Sequence, residues 1–337
     1  MPGEGGGAVT LPMGISVRLL AGFDDPALAD DAWHGLLPQG PTDTLFLTPC
    51  WQRTWWQVFG RGQLLLVGIF QGDALVGLAP LFADGDMVFF VGSGGSDYLD
   101  FVGQIDGADV LAEVLAVARD AVPSCLGFRF YHVPDTSPTG QKLGDAARLL
   151  GCACHDEGEL PAPSARLAEA GQALTRKQSL LRHQRFFERE GELGVRQLRT
   201  AAEILPRLDA FFAQHIARWA DTPHPSLFLD LAQQTFYRRL AEQAPPWLRF
   251  TEIAWNGRPI AFHFGFSYRG SYLWYKPSFA IDLARHSPGE VLIRQLLLAA
   301  LEEGAEELDL GLGDEPFKRR FANQVRLVRT WGIYPQG

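Results

Sequence analysis

Residues 248–276 read LRFTEIAWNGRPIAFHFGFSYRGSYLWYK, and this stretch decides the fold. Leu248 to Ala254 and Pro259 to Tyr268 are apolar runs of strand length, joined by Trp255-Asn256-Gly257-Arg258. Asn-Gly between two such runs predicts a type I′ hairpin, whose two central residues need positive φ. Tyr268-Arg269-Gly270 makes a second turn into Ser271 to Lys276, so three strands follow one another through tight turns. Strand alternation sets His263 on the face opposite Phe262, Phe264 and Phe266. A loop then leads to Ser287-Pro288-Gly289-Glu290. Ser287 fits an N-cap, Pro288 the first helical position and Glu290 the third position of a capping box. A helix over Pro288 to Glu303 and a strand over Glu306 to Leu310 complete the segment.

The same order occurs once before. Gln63 to Phe82 reads as a hairpin turning at Gln71-Gly72-Asp73, with Pro80 expected at an edge or bulge. A third strand, Met87 to Val91, runs into the loop Gly92-Ser93-Gly94-Gly95-Ser96 and on to Asp97-Tyr98-Leu99-Asp100-Phe101. A helix over Ala108–Ala121, a strand near Leu126–Val133 and a helix over about Pro138–Leu150 follow. This is an internal duplication of architecture, and 337 residues suit two domains of roughly 100 to 200 residues. Between the copies, long helical stretches are expected over Ala165–Gly191 and Ala201–Ala220, and a third over Ser226–Gln243. In the second stretch Leu205, Leu208, Phe211, Phe212, Ile216 and Trp219 recur at helical spacing.

Composition narrows the function classes. Hydrophobic residues make up 47% and charged residues 20%, a globular balance that excludes a disordered or collagen-like chain. Four unevenly placed cysteines fit a reducing compartment, so a cytoplasmic location is expected. No run reaches the roughly 18 apolar residues of a membrane span, and the glycine-rich residues 1–14 read as a loose end. The net charge of −9 hides an asymmetry: residues 1–160 carry 7 basic and 20 acidic side chains, and residues 161–337 carry 23 and 19. An anionic ligand is drawn to the second half, although its balance is far below that of a DNA-binding domain. The helix bearing Arg176, Lys177, Arg182, His183, Arg185 and Arg189 has acids only at Glu188 and Glu190. It is either a solvated face or a contact for a phosphorylated or polyanionic acceptor. Cys152-Ala153-Cys154-His155 has no second Cys or His pair at finger spacing, so no metal is expected. Gly92 to Gly95 lacks the Lys-Ser/Thr ending of a P-loop.

Free backbone amides and the positive end of the dipole make the helix start at Ser287-Pro288-Gly289 suitable for a phosphate, with Arg285 just upstream. A capped helix with no ligand is the plain alternative. From Thr48 to Asn323 the order of segments resembles the FemAB-like branch of the GNAT acyltransferase superfamily, in particular its CelD/BcsL-type acetyltransferase domain. Ser96-Asp97-Tyr98-Leu99-Asp100-Phe101, Leu174-Thr175-Arg176-Lys177, His215 through Arg218-Trp219, Gly257-Arg258-Pro259-Ile260-Ala261, Ser287-Pro288-Gly289 and Gly313-Asp314-Glu315-Pro316-Phe317-Lys318 carry the resemblance.

The resemblance implies an α/β (α+β) chain of two tandem GNAT-like domains, each a mixed, mostly antiparallel sheet flanked by helices. Residues 15–160 would be the acceptor side and residues 161–337 the acyl-CoA side. It implies acetyl-CoA as co-substrate, pantetheine along Leu273 to Lys276, and the diphosphate on Arg285, Ser287, Pro288 and Gly289. Only Gly289 and Arg285 stand in for the usual glycine-rich, basic phosphate loop. The implied reaction is acyl transfer to an amine or hydroxyl of a sugar or cell-envelope precursor. An aminoacyl-tRNA-dependent peptidyl transferase and a catalytically silent binding module are the alternatives. The oligomeric state is not legible.

Such a transfer needs a base, donors for the thioester carbonyl and an acid for the leaving thiolate. His215 and Arg218 share a helix face at a three-residue spacing. His263 flanks the implied groove, and Tyr275 ends its strand as a candidate acid. Asp309, and Asp314 with Lys318, lie beyond the carboxyl ends of strands, where open α/β sheets place ligands. Asp97 and Tyr98 are the candidate acceptor contacts of the first half.

Overall fold

The computed structural model describes residues 11–336; of the expected loose segment 1–14, residues 1–10 lie outside them. The chain divides into two compact units, Met1–Pro161 with Arg326–Gly337, and Ala162–Val325. Residues 326–337, expected with the second half, therefore belong to the first unit.

The first unit contains β1 (Ile15–Leu19), α1 (Asp30–Leu36), α2 (Pro49–Phe59), β2 (Gln63–Gln71), β3 (Ala74–Asp84), β4 (Met87–Phe90) and β5 (Val102–Gly103). Helix α3 (Ala108–Asp120), β6 (Gly127–Pro134), α4 (Thr139–Leu149) and most of β7 (Cys152–Arg166) follow. Strands β1 to β4 pair antiparallel in succession. After the α3 crossover, β6 pairs parallel with β4. Pro80 is not at an edge: β3 pairs with β5 at Gly77 and Leu78 and with β4 from Leu81, so Pro80 falls where the partner changes and its missing N–H is not needed.

The second unit contains α5 (Leu167–Thr175), α6 (Gln178–Glu190), β8 (Leu193–Leu198), α7 (Ala201–Ile204), α8 (Leu208–Trp219) and α9 (Leu231–Gln243). Then come β9 (Leu248–Trp255), β10 (Arg258–Tyr268), β11 (Ser271–Phe279), α10 (Pro288–Glu302) and β12 (Glu307–Asp309). Strand β13 (Gln324–Pro335) carries the chain back to the first unit, where it pairs antiparallel with β6. Strands β8 to β11 are antiparallel in succession, and β12 lies parallel to β11 after the α10 crossover. The two units thus repeat one strand grammar, four antiparallel strands and a helix returning to a parallel fifth. Asn256 and Gly257 have φ of 50° and 77°, as the type I′ turn requires.

Two long helices predicted from periodicity are broken. The stretch 165–191 opens in β7 and divides at Arg176-Lys177, where Lys177 is extended (φ −53°, ψ 129°). The stretch 201–220 tightens into a 3-10 turn at Leu205-Pro206-Arg207, because Pro206 lacks the amide a continuous helix needs. One face of the β9–β11 meander is covered by α8: the Phe211 ring lies 5.7 Å from Phe250 and 6.2 Å from Phe262. The other face holds Tyr272 and Trp274 with Leu292, Leu296 and Leu297 of α10 and Leu180 and Phe187 of α6. Among the described residues no helix is long and apolar enough to cross a membrane.

Candidate functional site

The site begins where two parallel strands part. Strands β11 and β12 pair only from Ser271↔Glu307 to Leu273↔Asp309. Strand β11 continues six residues further, to Phe279, beyond the last β12 partner. Helix α10 starts beside that extension, with the Phe279 ring 3.2 Å from where a Cβ on Gly289 would stand. A glycine there allows close approach to the helix start.

The helix start differs from the expected capping box. Ser287 occupies the N-cap position in the left-handed region (φ 55°, ψ 57°), and its side chain makes no capping bond. Glu290 turns instead to Arg320, 2.7 Å away. The Glu290 amide is bonded to the Ser287 carbonyl at 2.9 Å, which leaves the Gly289 amide without a partner among the described residues. Arg285 donates from Nε to His286 Nε2 at 2.8 Å and has no carboxylate partner among the described residues.

On the α8 side of β11, His215 is buried, with Nδ1 2.8 Å from Ser226 Oγ. Burial, and then the charges of Lys276 and Arg218, push its imidazole down to about 3, so it is neutral at physiological pH. The Arg218 guanidinium lies over the Phe279 ring at 4.6 Å, and desolvation lowers its pKa. The Lys276 ammonium sits 3.7 Å over the Tyr275 ring, and Ser278 Oγ donates to Gln214 Oε1 at 2.8 Å. His215, Arg218, Tyr275, Lys276, Ser278 and the Gly289 end of α10 are therefore gathered along one strand. Sequence reading omitted Gln214 and Ser278 from the site and gave Lys276 only as the end of the pantetheine strand. The signal was present, because Lys276 and Ser278 interrupt an aromatic strand two residues apart.

Other candidates are engaged elsewhere. His263 is fully buried, and its Nε2 accepts the Tyr275 amide at 3.1 Å. The register between β10 and β11 shifts between Phe264 and Phe266, and the imidazole supplies the acceptor that the ladder lacks there. With Nε2 taken by the Tyr275 amide and burial pushing the imidazole down to about 3, His263, expected as a base, closes a strand bulge in this structure. Lys318, expected at substrate, is buried and donates to the Leu312 carbonyl at 2.6 Å while pairing with Glu315 at 2.8 Å. It ties its own loop. Asp314 is exposed and held by a two-pronged Arg319 contact, which lowers its pKa. Asp309 stands at the parting of β11 and β12 and accepts the Gly311 amide at 2.8 Å. In the first unit Asp97 and Tyr98 are half-buried, and Tyr98 packs 6.0 Å from Phe46. Their neighbour Asp100 is fully buried, accepting both Thr42 and Thr139 hydroxyls at 2.7 Å, and desolvation raises its pKa.

Comparison with known proteins gives this arrangement its context. Residues 175–319 match the family model described as "Acetyltransferase (GNAT) domain". Among solved structures, FemX is similar with a TM-score of 0.63 at 10% identity, over 91% of this chain and 96% of FemX. A tandem GNAT protein from the clavulanic acid biosynthesis pathway gives 0.53 at 14% identity, over 96% and 99% of the two chains. L-PGS from Bacillus licheniformis gives 0.53 at 14%, over 85% and 91%. At these identities the likeness is one of fold. No curated protein matches this chain.

Proposed function

We propose, from the premise that residues 175–319 are a GNAT-type acetyltransferase domain, that the chain moves an acetyl group from acetyl-CoA to an amine or hydroxyl of a sugar or cell-envelope precursor. The observation that carries this reading is the parting of β11 from β12 beside a helix start whose Gly289 amide has no partner among the described residues. The residues present fit the donor. The extended backbone beyond Leu273 suits an amide-bearing pantetheine arm, and Gly289 with Arg285 suits a diphosphate. When bound, acetyl-CoA supplies an activated thioester.

The remaining chemistry belongs to the chain. Lys276 and Arg218 favour an acceptor with negative charge, and burial, helped by these two charges, keeps His215 unprotonated. In the tautomer that donates Nδ1–H to Ser226, His215 keeps a lone pair on Nε2 that can take the acceptor's proton. Tyr275 is the proposed acid for the thiolate, and Asp309 orders the turn at the mouth of the cleft.

Free thiol released from acetyl-CoA, measured over a panel of amino sugars and nucleotide-linked sugars, tests the reading. Turnover should appear with at least one acceptor, and His215→Ala should lower kcat about 10²-fold or more while leaving KM for acetyl-CoA within a few-fold. Absence of thiol release, with transfer that depends on aminoacyl-tRNA, would replace acetyl-CoA as donor.

A further inference from the structure

Helix α6 carries a cavity of about 340 Å³ lined by Gln178, Arg182, Arg185, Phe186 and Arg189. Arg182, Arg185 and Arg189 follow one another at three- and four-residue spacing, so the three guanidinium groups share one helix face. Arg185 has no hydrogen-bond or ion-pair partner among the described residues, and Arg182 touches only His183, at 3.4 Å. Arg189 is paired with Glu190 at 2.7 Å. The other acid on the helix, Glu188, accepts from Gln184 at 2.7 Å. Two of the three arginines are thus uncompensated around a concave surface, an arrangement that repels itself unless an anion occupies it.

The cavity lies next to the start of α10. The Phe186 ring stacks on His286 at 3.9 Å with an interplanar angle of 8°, and His286 in turn holds Arg285. A ligand there meets cationic groups on α6, an aromatic floor at Phe186, and a second cationic group with the Gly289 amide at α10. Two anion-binding points separated by a flat apolar surface match a nucleotide with phosphate on two positions of its ribose. A volume of this size suits a small-molecule end group, and the arginine row extends over only two helical turns, short for a nucleic-acid track.

We infer that the α6 groove receives the 3′-phosphoadenosine end of the coenzyme, with Arg182 and Arg185 on the phosphomonoester and the adenine against Phe186. The inference rests on the acetyl-CoA reading for the identity of the ligand, but its chemistry can be tested apart from it. Calorimetry on the full chain with adenosine 3′,5′-bisphosphate as probe should show binding. Arg182→Glu with Arg185→Glu should weaken it at least tenfold, while Arg182→Lys with Arg185→Lys stays within a few-fold. Arg176→Glu, which reverses an exposed arginine outside the cavity, should leave it unchanged. The Glu pair should also abolish any preference for acetyl-CoA over its 3′-dephospho form.

No bisphosphate binding by the wild-type chain would overturn the inference, as would an equal loss in Arg176→Glu. So would capture of a generic RNA oligonucleotide by the same arginines with no response to the bisphosphate. If the bisphosphate binds as stated and acetyl-CoA is never turned over, the groove stands and the transfer reading falls. If acetyl-CoA is turned over with the same KM in the Glu pair, the groove falls and the transfer reading stands.

Discussion

A methyl group added at position 265 would stand 1.8 Å from Cε1 of His263. Glycine at this position is what lets the imidazole lie across the strand and accept the Tyr275 amide. Gly265→Ala should therefore cost about 2–5 kcal/mol, combining an overpacked core with a buried amide left unpaired. Urea denaturation measures it, and a cost equally large in a His263→Ala background would show that the imidazole is not the obstacle. His215 and His263 also set a pH dependence. Both are neutral in the fold, with pKa values of about 3, against roughly 6.5 for an unfolded histidine. Above about pH 6.5 neither state binds the proton and stability is intact. Between there and about pH 3 the unfolded chain takes up protons that the folded chain refuses. Stability should fall with decreasing pH by up to about 1.4 kcal/mol per unit for each histidine. Asp100 opposes this, since a raised carboxyl pKa favours the fold as pH drops. Urea midpoints at pH 7 and pH 5 should differ less in His215→Gln than in the wild type; identical differences would mean that burial does not hold His215 neutral.

Among the elements, those whose signals are local were legible and those built on distant partners were not. Both hairpins, their third strands and the α3, α4 and α10 helices follow from turn residues and periodicity within a few positions. Strand β7 was missed because six consecutive residues, His155 to Leu160, are exposed and its partners are remote in sequence. Strand β8 presents four exposed residues in a row and is held by pairing to β9. The site shows the same division. The start of α10 was visible in Ser287-Pro288, whereas the true partners of Glu290, Lys318 and His263 depend on loops and register that local spacing does not encode. Ser287 illustrates the difference: a serine in the left-handed region that makes no cap bond bears strain without compensation. Ser287→Gly should raise stability by about 0.5–1 kcal/mol, visible as a higher melting temperature. A loss of stability would show that the serine hydroxyl has a partner in solution.

For the molecule as a whole, the route of the chain matters more than its halving. It leaves the first unit after Pro161 and re-enters it at Arg326. Ile333 is fully buried in the first unit's core and pairs with Phe128, and Trp331 packs against that core beside Phe130. Deleting residues 326–337 should therefore expose the β6 edge and damage the unit far from the deletion in sequence. Limited proteolysis should cut the truncated chain within residues 11–161 first, with 162–325 protected longer; the reverse order would refute this division of the core.

That route also sets a timetable during synthesis. The first unit's residues 11–161 leave the ribosome early, yet the strand that closes their sheet is made only after residues 162–325. At roughly 5–20 residues per second this is a wait of roughly 8–30 s. During that interval the nascent chain carries an open β6 edge of the kind chaperones recognise, while the second unit has all its residues translated before β13 is finished. A premature stop shortly after Val325 would accordingly release a polypeptide with the unit 162–325 complete and its other unit a substrate for quality control.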